Sequence, residues 1–194
     1  MAEGPETIEQ SARRIGHHAW LEMRLFEVLG RWSGTVPDPR ARAAFATHSR
    51  QHAWHAELWH GLLPAVPHLG AAELVAPDEA AAAIVAGLEA LDAGGEGASD
   101  ASARNDGDDS ADEGPVTATS VIDSPSLDAT AALTAVYREA LPHLVRAYTA
   151  HIAVTTPVTD APTIRVLRLV LGDLDDERAS GDALIEALAS RADS

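Results

Sequence analysis

The run Thr47-His48-Ser49-Arg50-Gln51-His52-Ala53-Trp54-His55-Ala56-Glu57-Leu58-Trp59-His60 holds four of the chain's nine histidines and two of its four tryptophans. On a helix, His48, His52 and His55 fall at i, i+4 and i+7, on one side. Imidazoles in that register can ligate a metal ion, partner a buried carboxylate, or form a polar seam between helices. Neutral imidazole suits zinc, copper, nickel or iron. Glu22 is the carboxylate that most needs an explanation, because it shares a stripe with Ile15, Ala19, Phe26 and Leu29. Burying it ionised and alone is costly, so it needs a partner. The choices are His18 one turn earlier, Arg24, a metal, or a histidine of the His48–His55 row. Further candidates are His143, and Asp173 with Glu177, an i, i+4 pair near the end of the chain. Tyr137 and Tyr148 can place a phenol near a redox metal, or simply be buried tyrosines with one hydrogen bond each.

Long helices must hold these groups, and the sequence predicts them. Thr7-Ile8-Glu9-Gln10 has the form of a capping box. Apolar residues then recur at helical spacing to about Trp32, stopping at Ser33-Gly34. That length is roughly 40 Å at 1.5 Å per residue. Asp38 as N-cap and Pro39 at N1 open a second helix that Pro64 ends. A short alanine-rich helix is expected over Asp78 to Leu91. The third long helix should run from Asp128 to about Val154, with Pro142 kinking or splitting it. Asp160-Ala161-Pro162 opens the fourth, whose face reads Leu167, Val170, Leu171, Leu174, Glu177, Leu184 and Leu188. Ser180-Gly181 is the place for a bend in it. No strand pattern stands out, so the expectation is an all-α chain.

The first and second helices, and the third and fourth, are joined by short loops and should form antiparallel hairpins. Residues 94–125 are rich in Gly, Ser, Asp and Ala and nearly free of large apolar side chains. They are expected to be a disordered acidic connection inside one domain spanning 1–194. From Glu96 to Asp128 there are nine acidic residues against one arginine, so this stretch carries half of the formal net charge of -16. That balance argues against nucleic acid and anionic membranes as partners. Cysteine is absent, which excludes disulfides and thiolate chemistry. No apolar run is long enough to span a bilayer. The acidic start, Met1 to Glu6, lacks the pattern of a secretory signal, so the cytoplasm is the expected compartment. Neither a phosphate-binding Gly-rich loop nor a nucleophile elbow is present.

The two halves echo each other. Thr35-Val36-Pro37-Asp38-Pro39 resembles Val158-Thr159-Asp160-Ala161-Pro162, and a shift of 121 residues (143 minus 22) sets His143 on Glu22, Asp173 on His52 and Asp176 on His55. With its long link between helices two and three, this layout resembles the ferritin-like superfamily. The resemblance implies a four-helix bundle whose first and third helices each give a carboxylate. The second and fourth give Glu-x-x-His, and together they hold two metal ions. Carried onto this chain, it implies Glu22 from helix one and His52-Ala53-Trp54-His55 from helix two, where the pattern has glutamate first. His143 stands in for the third helix's carboxylate, and Asp173 and Glu177 come from the fourth. Glu57-Leu58-Trp59-His60 fits the motif literally but lies off the stripe that carries His48, His52 and His55. His48-x-x-x-His52 is also similar to the spacing in DinB-like bundles, with His143 or His151 as third ligand.

Two functional expectations follow. In one, a His/carboxylate centre of Glu22, His52, His55, His143, Asp173 and Glu177, with His48 in reserve, holds iron, manganese or zinc and supports an oxidoreductase-type role. In the other, the same fold is metal-free and acts as a structural or interaction protein, as a homodimer, with the polar core joined by hydrogen bonds.

Overall fold

The computed structural model describes residues 7–65, 69–70, 74–96 and 127–192. All regular structure among them is helical. Helix α1 spans Ile8–Thr35, α2 Pro39–Leu62 and α3 Glu79–Glu96. Helix α4 is continuous but composite: an α segment Ala129–Thr134, a π segment Ala135–Ala140 and an α segment Leu141–Val154. Helix α5 spans Ala161–Ala192.

The starts are fixed by local chemistry. Thr7 Oγ1 accepts the Gln10 N–H at 3.2 Å, and the Gln10 side chain accepts the Thr7 N–H at 2.8 Å, closing the capping box. Asp38 Oδ1 accepts the N–H groups of Arg40 and Ala41, while Pro39 fills a position that needs no donor. Asp128 caps α4 through the Thr130 N–H, and Asp78 Oδ1 takes the Ala81 N–H at the start of α3. Two ends differ from expectation. Helix α1 runs on to Thr35, where the Ser33 hydroxyl bonds back to the Gly30 carbonyl. Helix α3 continues past Leu91 to Glu96, into the first residues of the stretch read as a disordered connection. The rest of that connection, residues 97–125, lies outside the described residues.

Pro142 neither splits α4 nor ends it. It has no N–H to give the Arg138 carbonyl. The turn just before it widens to i→i+5 pairing, with the Leu141 N–H on the Val136 carbonyl. The expected bend at Ser180-Gly181 is not an interruption either, since α5 is helical throughout. Gly181 has a different reason to be there. A Cβ on it would lie 2.2 Å from Cγ of Tyr137, so the missing side chain makes room for that ring.

One apolar core draws on all five helices and centres on Trp32, Phe45, Trp59, Tyr137 and Tyr148. Helices α1 and α2 form an antiparallel hairpin, with Trp32 against Phe45, Phe26 C=O against the Ser49 hydroxyl, and Glu22 against His52. Helix α5 packs on α2 and α4, and α3 packs on α1 and α4. At its outer edge α3 is tied to α1 by Arg24–Glu89 and Arg31–Asp92, exposed pairs worth little each. Among the described residues, no helix is long and apolar enough to cross a membrane.

Candidate metal centre

The 3.6-residue period puts the histidines of α2 where the spacing predicts. His52 and His55 are fully buried and His48 nearly so. Glu57 and His60 point outward, leaving the literal Glu-x-x-His off the core. Across the hairpin, α1 presents Glu22, also fully buried. Its two oxygens are divided between helices. Oε2 lies 2.5 Å from His52 Nδ1, and Oε1 accepts the hydroxyl of Tyr148 from α4. Oε1 is also 3.6 Å from His55 Nδ1. Of the side chains weighed as partners for Glu22, a histidine of α2 is the one in contact. Arg24 instead turns out to Glu27 and Glu89.

Helix α5 closes the other side. Glu177 Oε1 stands 3.3 Å from His52 Nε2 and 3.5 Å from His48 Nδ1, while Asp173 Oδ2 meets His55 Nε2 at 3.0 Å. His48 Nδ1 also bonds the Tyr137 hydroxyl at 2.7 Å. Donor atoms of Glu22, His52 and His55 lie within 4.8 Å of one another, close enough to share an ion. Asp173 is attached to this trio through His55, and Glu177 through His52.

The remaining predicted member, His143, is elsewhere. It groups with His17 and Asp78, near the start of α3. His151, offered as a substitute, faces His18, with His18 Nε2 3.0 Å from His151 Nδ1. Burial lowers the pKa of both, with like charge from each other's side of the pair or from Arg14 adding to it, and His151 falls to about 4. They form a neutral pair in which His151 stacks on Trp59 and His18 meets Tyr148 edge-on. The role of Tyr148 as the second partner of Glu22 was the part least visible in sequence. Its one signal was its place on the Leu144–His151 stripe.

Charge decides the state of the trio. Burial works against a charge on His52, but Glu177 and Glu22 on its two nitrogens outweigh it and raise its pKa to about 10. Burial would likewise raise Glu22, yet the charge and hydrogen bond of His52, with help from His55, hold it at about 2. His55 is raised too, by Glu22 and Asp173 against the cost of burial. This balance of charges favours His52 as an imidazolium between two carboxylates, its protons standing where a cation could sit.

His55 is the point where the two options meet. Its Nε2–H donates to Asp173, which directs Nδ1 at Glu22. Nδ1 is buried and has no hydrogen-bond partner. A histidine that gives one nitrogen to a carboxylate and offers the other inward is the arrangement that orients metal-ligating imidazoles. Two ligand atoms on one tetrahedral ion with bonds near 2.1 Å lie about 3.4 Å apart. The 3.6 Å between His55 Nδ1 and Glu22 Oε1 fits that spacing. The 2.5 Å between His52 Nδ1 and Glu22 Oε2 does not, and is a proton-bridged contact. Glu177 Oε2 is a second buried donor atom with no partner.

No protein-family model matches the chain, and no curated protein matches it either.

Proposed function

We propose that this protein binds a divalent transition-metal ion in its core through Glu22, His55 and His52, inside a four-helix bundle of the ferritin-like kind. The observation that carries the reading is the unpartnered Nδ1 of His55, fixed by Asp173 and set 3.6 Å from a buried carboxylate oxygen. A lone pair facing a carboxylate repels it unless a cation or proton lies between. The bundle reading is supported by contact order along the helices. His48 meets Tyr137 and Trp59 meets Tyr148, so α2 and α4 advance in the same direction. Parallel second and third long helices need a long crossover between them.

Each residue has a role in that reading. Glu22 and His55 are the ligands already at metal-like spacing. His52 joins when it gives up the proton it shares with Glu22. Tyr148 holds Glu22 Oε1, Asp173 fixes the His55 tautomer, and Glu177 balances charge from α5. Glu22, Glu177 and Asp173 together put more negative charge around the two rings than the His52 proton offsets, and a divalent ion in its place would supply one further positive charge. Holding the His52 proton at pH 7 is worth about 4 kcal/mol, from a pKa of about 10. Metal binding at pH 7 must offset that cost, so affinity should rise with pH as the His52 proton becomes easier to remove. Iron or manganese in this place would support an oxidoreductase role with one-electron chemistry, and zinc would not.

One observation favours the metal-free alternative, a structural or interaction protein. His52 occupies both Glu22 and Glu177 with its own protons and needs nothing further. Metal analysis of full-length protein purified without a histidine tag separates the two. After reconstitution with iron, manganese or zinc, the expected result is one equivalent that is absent from both Glu22→Gln and His55→Ala. Binding at pH 7 should release the proton held by His52, measured by calorimetry in buffers of different ionisation enthalpy. No equivalent dependent on Glu22 and His55 leaves the metal-free reading in place.

A further inference from the structure

A second cluster of metal-binding donors lies away from the core centre. His17 on α1, Asp78 just before α3 and His143 on α4 bring one donor atom each within 4.8 Å of the others. Three separate elements converge here, and the backbone explains how. Gly16, next to His17, lets the Leu74 carbonyl come so close that an added Cβ would sit 2.1 Å from its oxygen. That approach lays the chain leading into α3 against α1 and carries Asp78 over His17. The Asp78 N–H then bonds His17 Nδ1 at 3.1 Å, and Asp78 Oδ2 stands 3.5 Å from His17 Nε2.

Nε2 of His17 and Nε2 of His143 are both buried, and neither has a hydrogen-bond partner. Two imidazole nitrogens left unpaired within reach of one carboxylate are costly as they stand. One cation would meet all three. The 3.5 Å between His17 Nε2 and Asp78 Oδ2 already matches the roughly 3.4 Å between two ligands of one tetrahedral ion. Asp78 is 61% exposed on its side chain, against 12% for His17, so the cluster opens to solvent on the Asp78 side.

We propose that His17, Asp78 and His143 form a zinc-type site that joins α1, α4 and the start of α3, with its fourth position open to water. Two histidines and one carboxylate with an open place is a ligand set zinc accepts. Binding at His17 Nε2 moves that ring's proton to Nδ1, so the bond from the Asp78 N–H is given up as the metal enters. The Ala81 N–H keeps its partner on Asp78 Oδ1. Zinc thus exchanges one weak tie between α1 and α3 for a three-point clamp, at the opposite end of α3 from the Arg31–Asp92 pair. This site does not depend on the core centre, since the two share no residue.

Cobalt(II) and zinc titrations of metal-stripped full-length protein test it. Glu22→Gln, which disables the core centre, should still bind one cobalt with visible absorption of a tetrahedral ion, displaced by zinc. Zinc should also raise the Tm of that variant. Adding His143→Ala or Asp78→Asn should weaken this binding at least about tenfold and remove the Tm gain; loss of partners in an outer shell alone costs roughly 10–100-fold. Asp78→Asn retains a capping side chain, so it serves if His143→Ala folds poorly. The proposal is overturned if Glu22→Gln binds neither ion, or if both added substitutions leave affinity and Tm gain unchanged.

Discussion

Replacing His52 by glutamine in the metal-free protein should change how stability depends on alkaline pH. In the folded protein His52 is completely buried between Glu177 and Glu22, with a pKa of about 10 against an ordinary 6.5. A raised folded-state pKa gives stability that is fully present below pH 6.5 and is lost as pH climbs through about 10. Between those limits the folded chain keeps a proton that the unfolded chain has released. The slope is about -1.4 kcal/mol per pH unit, and the total is about 5 kcal/mol over the 3.5-unit span. Domains of this size are stable by roughly 5–15 kcal/mol, so the loss is a large part of the whole. Glutamine fills similar space and still offers an amide donor to Glu22, but it cannot titrate. Urea unfolding of both proteins, in chelator, at steps from pH 6 to 10 gives the difference directly. The wild-type midpoint should fall steadily relative to the variant. Parallel curves would refute a buried imidazolium, and with it the claim that a metal ion must compete with protons for this place.

Tyr148→Phe removes the hydroxyl from Glu22 Oε1 and little else; leaving that buried oxygen short of a donor should cost about 1–3 kcal/mol in urea unfolding, and a change under about 0.5 kcal/mol would sink the assigned contact. The glycines of α5 should respond with opposite signs. Gly172 has open space around its would-be Cβ, so Gly172→Ala gains up to about 1 kcal/mol of helix propensity, whereas Gly181→Ala meets the Tyr137 ring at 2.2 Å and loses about 1–3 kcal/mol. Thermal melts that move the same way for both would contradict the packing of Tyr137 on α5.

Much of the framework is local and was legible for that reason. A capping box at Thr7, an Asp-Pro start at Asp38 and an apolar stripe each act within a few residues of chain. The helix period alone set His48, His52 and His55 on the core side and turned Glu57 and His60 away. Burial of Glu22 followed from its apolar neighbours, and with it the need for a partner. The ends of α1 and α3 were harder, since the last turn of a helix is decided by small differences in local bonding.

Which groups meet across helices was not local. Sequence spacing could not tell that Glu22 divides its oxygens between His52 and Tyr148, because those residues are 30 and 126 positions away. It paired His143 with Glu22 through the echo of the two halves, while the packing of α3 took His143 to His17 and Asp78. It saw Gly181 as a weak point in a helix, where the fold uses it as a seat for an aromatic ring. The sequence by itself determined the helices and the faces they bury, because hydrogen bonding and hydrophobic period act along the chain. Only the tertiary structure decided the partners, because a contact between helices depends on their rotation and axial offset. A shift of one residue on a helix turns a side chain by about 100°.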